Sequence, residues 1–114
     1  MTRGDPMLDE QDQAQPKVLL VDDDEVTLLL TSIALRERGF AVTESTSGER
    51  ALRLLADWVP DVVVLDAVMP GLDGFATCQE LREIPGHESV PVLMLTGLDD
   101  DASISRAYEA GATD

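Results

Sequence analysis

Three short apolar runs, each unbroken and each followed by a polar residue, constrain this chain more than any other feature. They are Val18-Leu19-Leu20-Val21, Val62-Val63-Val64-Leu65 and Val92-Leu93-Met94-Leu95. A strand with one wet face alternates apolar and polar residues, whereas a continuous run suits a strand covered on both faces. A weaker run, Phe40 to Thr43, follows Gly39 and is expected to form the second strand in chain order.

Helical patterns fill the intervals. Val26, Leu29, Leu30 and Ile33 fall at helical spacing, and Gly39 is a natural stop after Arg36 and Arg38. Ser47 can cap a second helix carrying Ala51, Leu52 and Leu55. Asp73 can cap a third with Phe75, Cys78 and Leu81 on one face, Cys78 serving as a small core residue. Asp99 or Asp100 can open a fourth, with Ile104, Ala107 and Tyr108 inward and Gly111 at its end. Pro85 to Glu88 reads as a loop in which His87 is exposed and has no catalytic role. Strands alternating with helices over short connections imply parallel pairing, right-handed crossovers and an open, doubly wound α/β sheet.

With 114 residues, one compact domain is expected, without internal repeats, over residues 17–114. Met1 to Pro16, rich in Asp, Gln and Pro, reads as a disordered tail. Aromatics are only 4% against 44% apolar residues overall, so the core must consist mostly of Val, Leu, Ile and Ala. The formal net charge is −15, a surface that repels nucleic-acid backbones and anionic lipids, so neither is expected as a direct partner of this segment. A phosphate-bearing ligand would need a cation to offset that repulsion. Cys78 is the only cysteine, which excludes an intramolecular disulfide and fits a reducing compartment. No apolar run approaches the roughly 20 residues that span a bilayer. The N-terminus lacks the apolar centre of a signal peptide, so a cytoplasmic location is expected.

The residues directly after each strong run carry the chemistry. The first run leads into Asp22-Asp23-Asp24-Glu25, the second into Asp66, the third into Thr96-Gly97. In a parallel sheet these endings share the carboxyl edge, where open α/β sheets bind ligands. Residues far apart in sequence thereby converge on an acidic pocket with a hydroxyl beside it. Carboxylates so close repel one another, so one must be protonated or a cation must bind. Their oxygens suit Mg²⁺, a hard ion that keeps waters and meets phosphate oxygens. A carboxylate can attack phosphorus to give an acyl phosphate, with metal and hydroxyl stabilising the transferred oxygens. Taken singly, each piece has a plainer explanation. Acids after a strand often form a solvated helix start, Asp66 could be a turn residue before Pro70-Gly71, and Thr96 a strand-end cap. Three such endings on one edge outweigh these separate explanations.

At these residues the sequence resembles the receiver domain of bacterial two-component response regulators. The resemblance rests on Val18 to Asp24, on Leu65-Asp66-Ala67-Val68-Met69-Pro70-Gly71-Leu72-Asp73-Gly74, on Val92 to Gly97 and on Ala110-Gly111-Ala112. It implies a flavodoxin-like fold of strand order 2-1-3-4-5. Asp66 would accept a phosphoryl group from a phosphohistidine on a sensor kinase or phosphotransfer protein, and would switch an attached or partner module. Asp23 and Asp66 would bind Mg²⁺ directly, Asp22 would assist, and the Val68 carbonyl would complete the protein ligands. Thr96 would hydrogen-bond the phosphoryl oxygen and shift on phosphorylation. Such a domain signals; it is not a turnover enzyme.

The chain departs from the family pattern where a lysine is expected at the end of a fifth strand. Lys17, its only lysine, opens the first strand at the opposite edge. The fifth strand and helix are not found before Asp114, which suggests a fragment of a longer protein. The fourth strand would then be an exposed edge open to self-association. Two rival readings are a haloacid-dehalogenase-type phosphatase, in which Asp22-Asp23-Asp24-Glu25-Val26 makes Asp22 the nucleophile, and a receiver-like module used only for association.

Overall fold

The computed structural model describes residues 15–95 and 101–114. The expected tail at Met1 to Pro16 lies outside them except for Gln15 and Pro16, and the expected fourth-helix caps Asp99 and Asp100 also lie outside. The elements run β1 (Lys17–Val21), α1 (Glu25–Glu37), β2 (Ala41–Ser45), α2 (Gly48–Leu55), β3 (Val62–Asp66), α3 (Gly74–Arg82), β4 (Val92–Leu95) and α4 (Asp101–Glu109). The four strands form one parallel sheet in the order β2-β1-β3-β4. The doubly wound α/β expectation holds.

The first two continuous runs form the central strands β1 and β3, as their lack of alternation predicted. The third forms the edge strand β4, where Leu93 and Leu95 are 39% and 45% exposed, so the cover expected on both of its faces is not found. In β1, Leu19 and Val21 join a large core with α2, α3 and α4, while Val18 and Leu20 point to the other face. The larger core gathers Leu55, Val63, Leu65, Phe75, Cys78, Leu81 and Val92. Caps act where the sequence placed them. Ser47 accepts from Arg50 N at 3.1 Å, Asp73 accepts from Ala76 N at 2.8 Å, and Gly39 ends the first helical segment at φ 95°. The second strand begins at Ala41, one residue later than the apolar run suggested.

Two further expectations fail, in α4 and at His87, and α1 turns inward a different face from the one its apolar spacing marks. In α1 the residues facing the sheet are Leu28, Thr31, Ser32 and Leu35, with Leu28 and Ser32 fully covered. Val26, Leu29, Leu30 and Ile33 are instead 65%, 55%, 62% and 44% exposed. Two apolar-spaced sets share this helix, and the chain's entry from the Asp22 turn decides which one turns inward. In α4, Ala107 is buried but Ile104 and Tyr108 are exposed, lining an open pocket of about 220 Å³ with Met94 and Asp114. His87 is not an exposed loop residue: it is 2% exposed, and Nε2 lies 2.8 Å from the Trp58 carbonyl oxygen. The imidazole thereby ties the loop before β4 to the loop before β3.

Thr113 N donates to the Val92 carbonyl at 2.8 Å, and Met94 N donates to an Asp114 carbonyl oxygen at 2.9 Å. The outer edge of β4 is therefore partly occupied by the residues after α4. Leu93 and Leu95 are still substantially exposed there.

The small core under α1 holds one awkward atom. Ser32 Oγ is buried with no hydrogen-bond partner among the described residues. Burying an unmatched hydroxyl costs about 1–3 kcal/mol, and alanine is the better helix former. Ser32→Ala should therefore raise unfolding stability by about 1 kcal/mol in urea titrations; a loss would mean that the hydroxyl is satisfied.

Candidate functional site

Register brings the acidic residues together. Val21 of β1 pairs with Leu65 of β3, so the next residues, Asp22 and Asp66, emerge side by side at the carboxyl edge. Asp22 is buried: its N–H donates to the Ser45 carbonyl at 3.1 Å, and its Oδ1 accepts from Asp24 N at 2.9 Å. That short side-chain turn reverses the chain into α1. Asp23, at its apex, is exposed.

Asp24 and Glu25 leave the cluster to start the helix. Asp24 is the N-cap, accepting from Thr27 N and from the Thr27 hydroxyl, and that hydroxyl is the main cause of its lowered pKa. Of the five acids singled out at this edge, Asp22, Asp23 and Asp66 alone each offer an oxygen within 4.8 Å of the others.

Burial chiefly pushes the Asp66 pKa up; the Val68 N–H, donating to Oδ1 at 3.2 Å, opposes this, and the neighbouring Asp22 and Asp23 push it further up. Three carboxylate oxygens at this separation form a donor set for a hard divalent cation, whose charge would relieve the repulsion. Val68 itself sits on the rim with its side chain 61% exposed.

The loop after Asp66 is held from several sides. Ala67 N donates to the Leu95 carbonyl at 2.9 Å, and Gly74 N to the Ala67 carbonyl at 3.0 Å. A Cβ on Gly74 would lie 2.2 Å from the Asp66 carbonyl oxygen, so only glycine lets α3 start this close to the candidate acceptor. Gly71 takes φ 72°, and Glu49 of α2 accepts from Leu72 N at 3.3 Å. Nothing in the spacing around Glu49 marks this anchor, because an acid in a first helical turn is ordinary.

Thr96 lies outside the described residues. The strand preceding it ends at Leu95, the register partner of Asp66. Lys17 opens β1, at the end of the sheet away from the acids.

The sequence profile of the response regulator receiver domain matches residues 18–114. The chain belongs to the response-regulator receiver family. Among curated relatives, the transcriptional regulatory protein AfsQ1 of Streptomyces coelicolor is 35% identical over 87% of this chain and 43% of its own length. The receiver fold recurs in the chemotaxis protein CheY4 of Vibrio cholerae, with TM-score 0.84 at 30% identity over 88% of this chain and 83% of that one. It recurs again in the receiver domain of the sensor histidine kinase PA1611 of Pseudomonas aeruginosa, solved with a magnesium ion in its active-site cleft. That structure has TM-score 0.82 at 29% identity over 89% of this chain and 83% of that one. This receiver thus spans about two-fifths of the length of AfsQ1. Among the described residues, no helix is long and apolar enough to cross a membrane.

The charge cluster makes a stability test. A carboxyl whose pKa is higher folded than unfolded destabilises the fold when ionised, and that cost vanishes as pH falls below its unfolded value. Asp66→Asn keeps an acceptor for the Val68 N–H and removes one charge. In chelator at neutral pH it should raise the melting temperature, by a margin that shrinks toward acid pH, while Mg²⁺ should stabilise the wild type more than the variant. Equal melting curves at neutral pH would show that the three carboxylates do not repel as described.

Proposed function

We propose that Asp66 accepts a phosphoryl group from a phosphohistidine of a sensor kinase or phosphotransfer protein, and that the modified domain switches an attached or partner output module. The single observation that carries this reading is the in-register pairing that sets Asp66 beside Asp22 and Asp23 at the carboxyl edge, inside the matched receiver segment. An Asp66 carboxylate oxygen bonds to phosphorus as the bond to the donor imidazole nitrogen breaks, and the freed imidazole takes up a proton. Asp22, Asp23 and Asp66, with the Val68 carbonyl, would hold Mg²⁺; when bound, the ion supplies positive charge to the transferred oxygens. The fit of those oxygens to a hard cation, and the magnesium named for the PA1611 receiver, support this assignment. Thr96 would hydrogen-bond a phosphoryl oxygen and report the modification.

The outward stripe of α1 supports a protein donor. Val26, Leu29, Leu30 and Ile33 lie on the helix that begins directly after Asp22-Asp23-Asp24, and Val68, two residues after Asp66, is exposed as well. A partner helix with an apolar face would cover this stripe, and its continuity with the acceptor rim would bring a phosphohistidine on that helix to Asp66. The phosphatase alternative requires Asp22 as nucleophile, but Asp22 is 7% exposed and already engaged with the Asp24 amide.

Acetyl phosphate with Mg²⁺ should add one phosphoryl group to the intact protein, read by mass, and Asp66→Asn should abolish it. A label that survives Asp66→Asn but is lost in Asp22→Asn would favour the phosphatase reading. No label at all would favour an association module. With a phosphorylated donor protein, Leu30→Asp should slow transfer at least about tenfold, the size of effect expected when a charge enters an apolar interface. Its labelling by acetyl phosphate should not change. Equal slowing with both donors would place Leu30 in the fold rather than in docking.

A further inference from the structure

Two loops carry the acids, and one short segment touches both. That segment is Ser45 to Glu49, which joins the end of β2 to the start of α2. On one side the Ser45 carbonyl accepts from Asp22 N at 3.1 Å, where β2 ends beside β1. On the other side the Glu49 carboxylate accepts from Leu72 N at 3.3 Å, in the loop that runs from Asp66 to α3.

The stretch between these two bonds is itself stiff. Ser45 is buried, and its hydroxyl donates to the Ser47 carbonyl at 2.9 Å. Ser47 in turn caps α2 by accepting from Arg50 N. A Cβ on Gly48 would lie 2.1 Å from Thr77 Oγ1 and 2.9 Å from the Leu72 carbonyl oxygen, so α2 starts hard against both α3 and the acceptor loop. The Leu72 peptide is straddled, its N–H held by Glu49 and its carbonyl packed against Gly48. A Cβ on Gly71 would come within 3.1 Å of the same Glu49 carboxylate. The loop's amides are thus held from both ends, Val68 N by Asp66 itself and Leu72 N by Glu49.

We propose that Ser45 to Glu49 is a brace that sets the gap between the Asp22 turn and the acceptor loop, with Glu49 a positioning residue for the metal-binding acids. This rests on the reading of Asp66 as a phosphoacceptor assisted by Mg²⁺. Glu49 acts through the loop backbone: its bond to Leu72 fixes the segment that carries the Val68 carbonyl assigned to the ion. Its acceptor oxygen is what the brace needs, and its charge is dispensable.

Calorimetric titration of the intact protein with Mg²⁺ tests the brace. Glu49→Ala should raise the Mg²⁺ dissociation constant about fivefold, the usual worth of one hydrogen bond. Glu49→Gln keeps an acceptor oxygen without the charge and should stay within about twofold of the wild type. In chelator, hydrogen exchange over residues 67–73 should speed in Glu49→Ala and not in Glu49→Gln, with β1 and β3 unchanged in both. A Mg²⁺ affinity in Glu49→Ala equal to that of the wild type would overturn the brace. So would a Glu49→Gln variant as weak as Glu49→Ala. The phosphoryl mass gained from acetyl phosphate separates the two readings. A wild type that binds no Mg²⁺ and gains no mass sinks the acceptor assignment and the brace with it. A labelled wild type whose Glu49→Ala variant binds Mg²⁺ unchanged sinks the brace alone.

Discussion

Parallel pairing of β1 with β3 is the interaction on which the rest depends. A parallel sheet sends every strand's carboxyl end to the same edge, and each crossover helix must start from that edge. The pairing of Val21 with Leu65 therefore places two aspartates in contact, although they are more than forty residues apart in sequence. It also buries Val18 to Val21 and Val63 to Leu65 on both faces, which gives the edge a rigid base. Asp22 and Asp66 lie at the top of the best-packed part of the molecule, so the sheet pairing keeps these two close. A cation or a proton would relieve their repulsion.

The helices around this edge divide the remaining work unequally. The large core lies under α2 and α3, where Leu55, Phe75, Cys78 and Leu81 meet the sheet. The face under α1 is thin and includes a buried serine without a partner, while a row of large apolar residues faces water. A helix stabilised only by its own fold would present the opposite arrangement. Its conflict with simple amphipathicity fits the proposed docking of a donor protein on the outward row, since local rules fail most often at functional surfaces.

At the far end of the sheet the structure is held by polar ties rather than apolar bulk. Arg82 collects three carbonyls from two segments, His87 and Val90 before β4 and Gly111 after α4, and His87 ties the loop before β4 to that before β3 through the Trp58 carbonyl. This firm base contrasts with the lightly buried α4, of which Ala107 alone is buried.

The fold was legible in the sequence because its signals are local. Unbroken apolar runs mean strands, Ser47 and Asp73 mean helix starts, and Gly39 means a stop, whereas the exposure of Leu93 and Leu95 at the sheet edge depended on topology. The acidic endings after β1 and β3 could likewise be assigned to one edge, since topology alone sends them there. What the sequence left open are choices between equivalent local patterns. Asp22 to Glu25 are four consecutive acids, and only the turn geometry separates Asp22 and Asp23, which face Asp66, from Asp24, which caps α1. The apolar residues of α1 offer two helical stripes, and only the path of the chain out of the Asp22 turn decided that Leu28 packs while Leu29 and Leu30 face solvent. The burial of His87 and the anchor at Glu49 each depend on a partner at least twenty-three residues away. Such long-range contacts leave no periodic trace in a sequence, and the tertiary structure alone determines them.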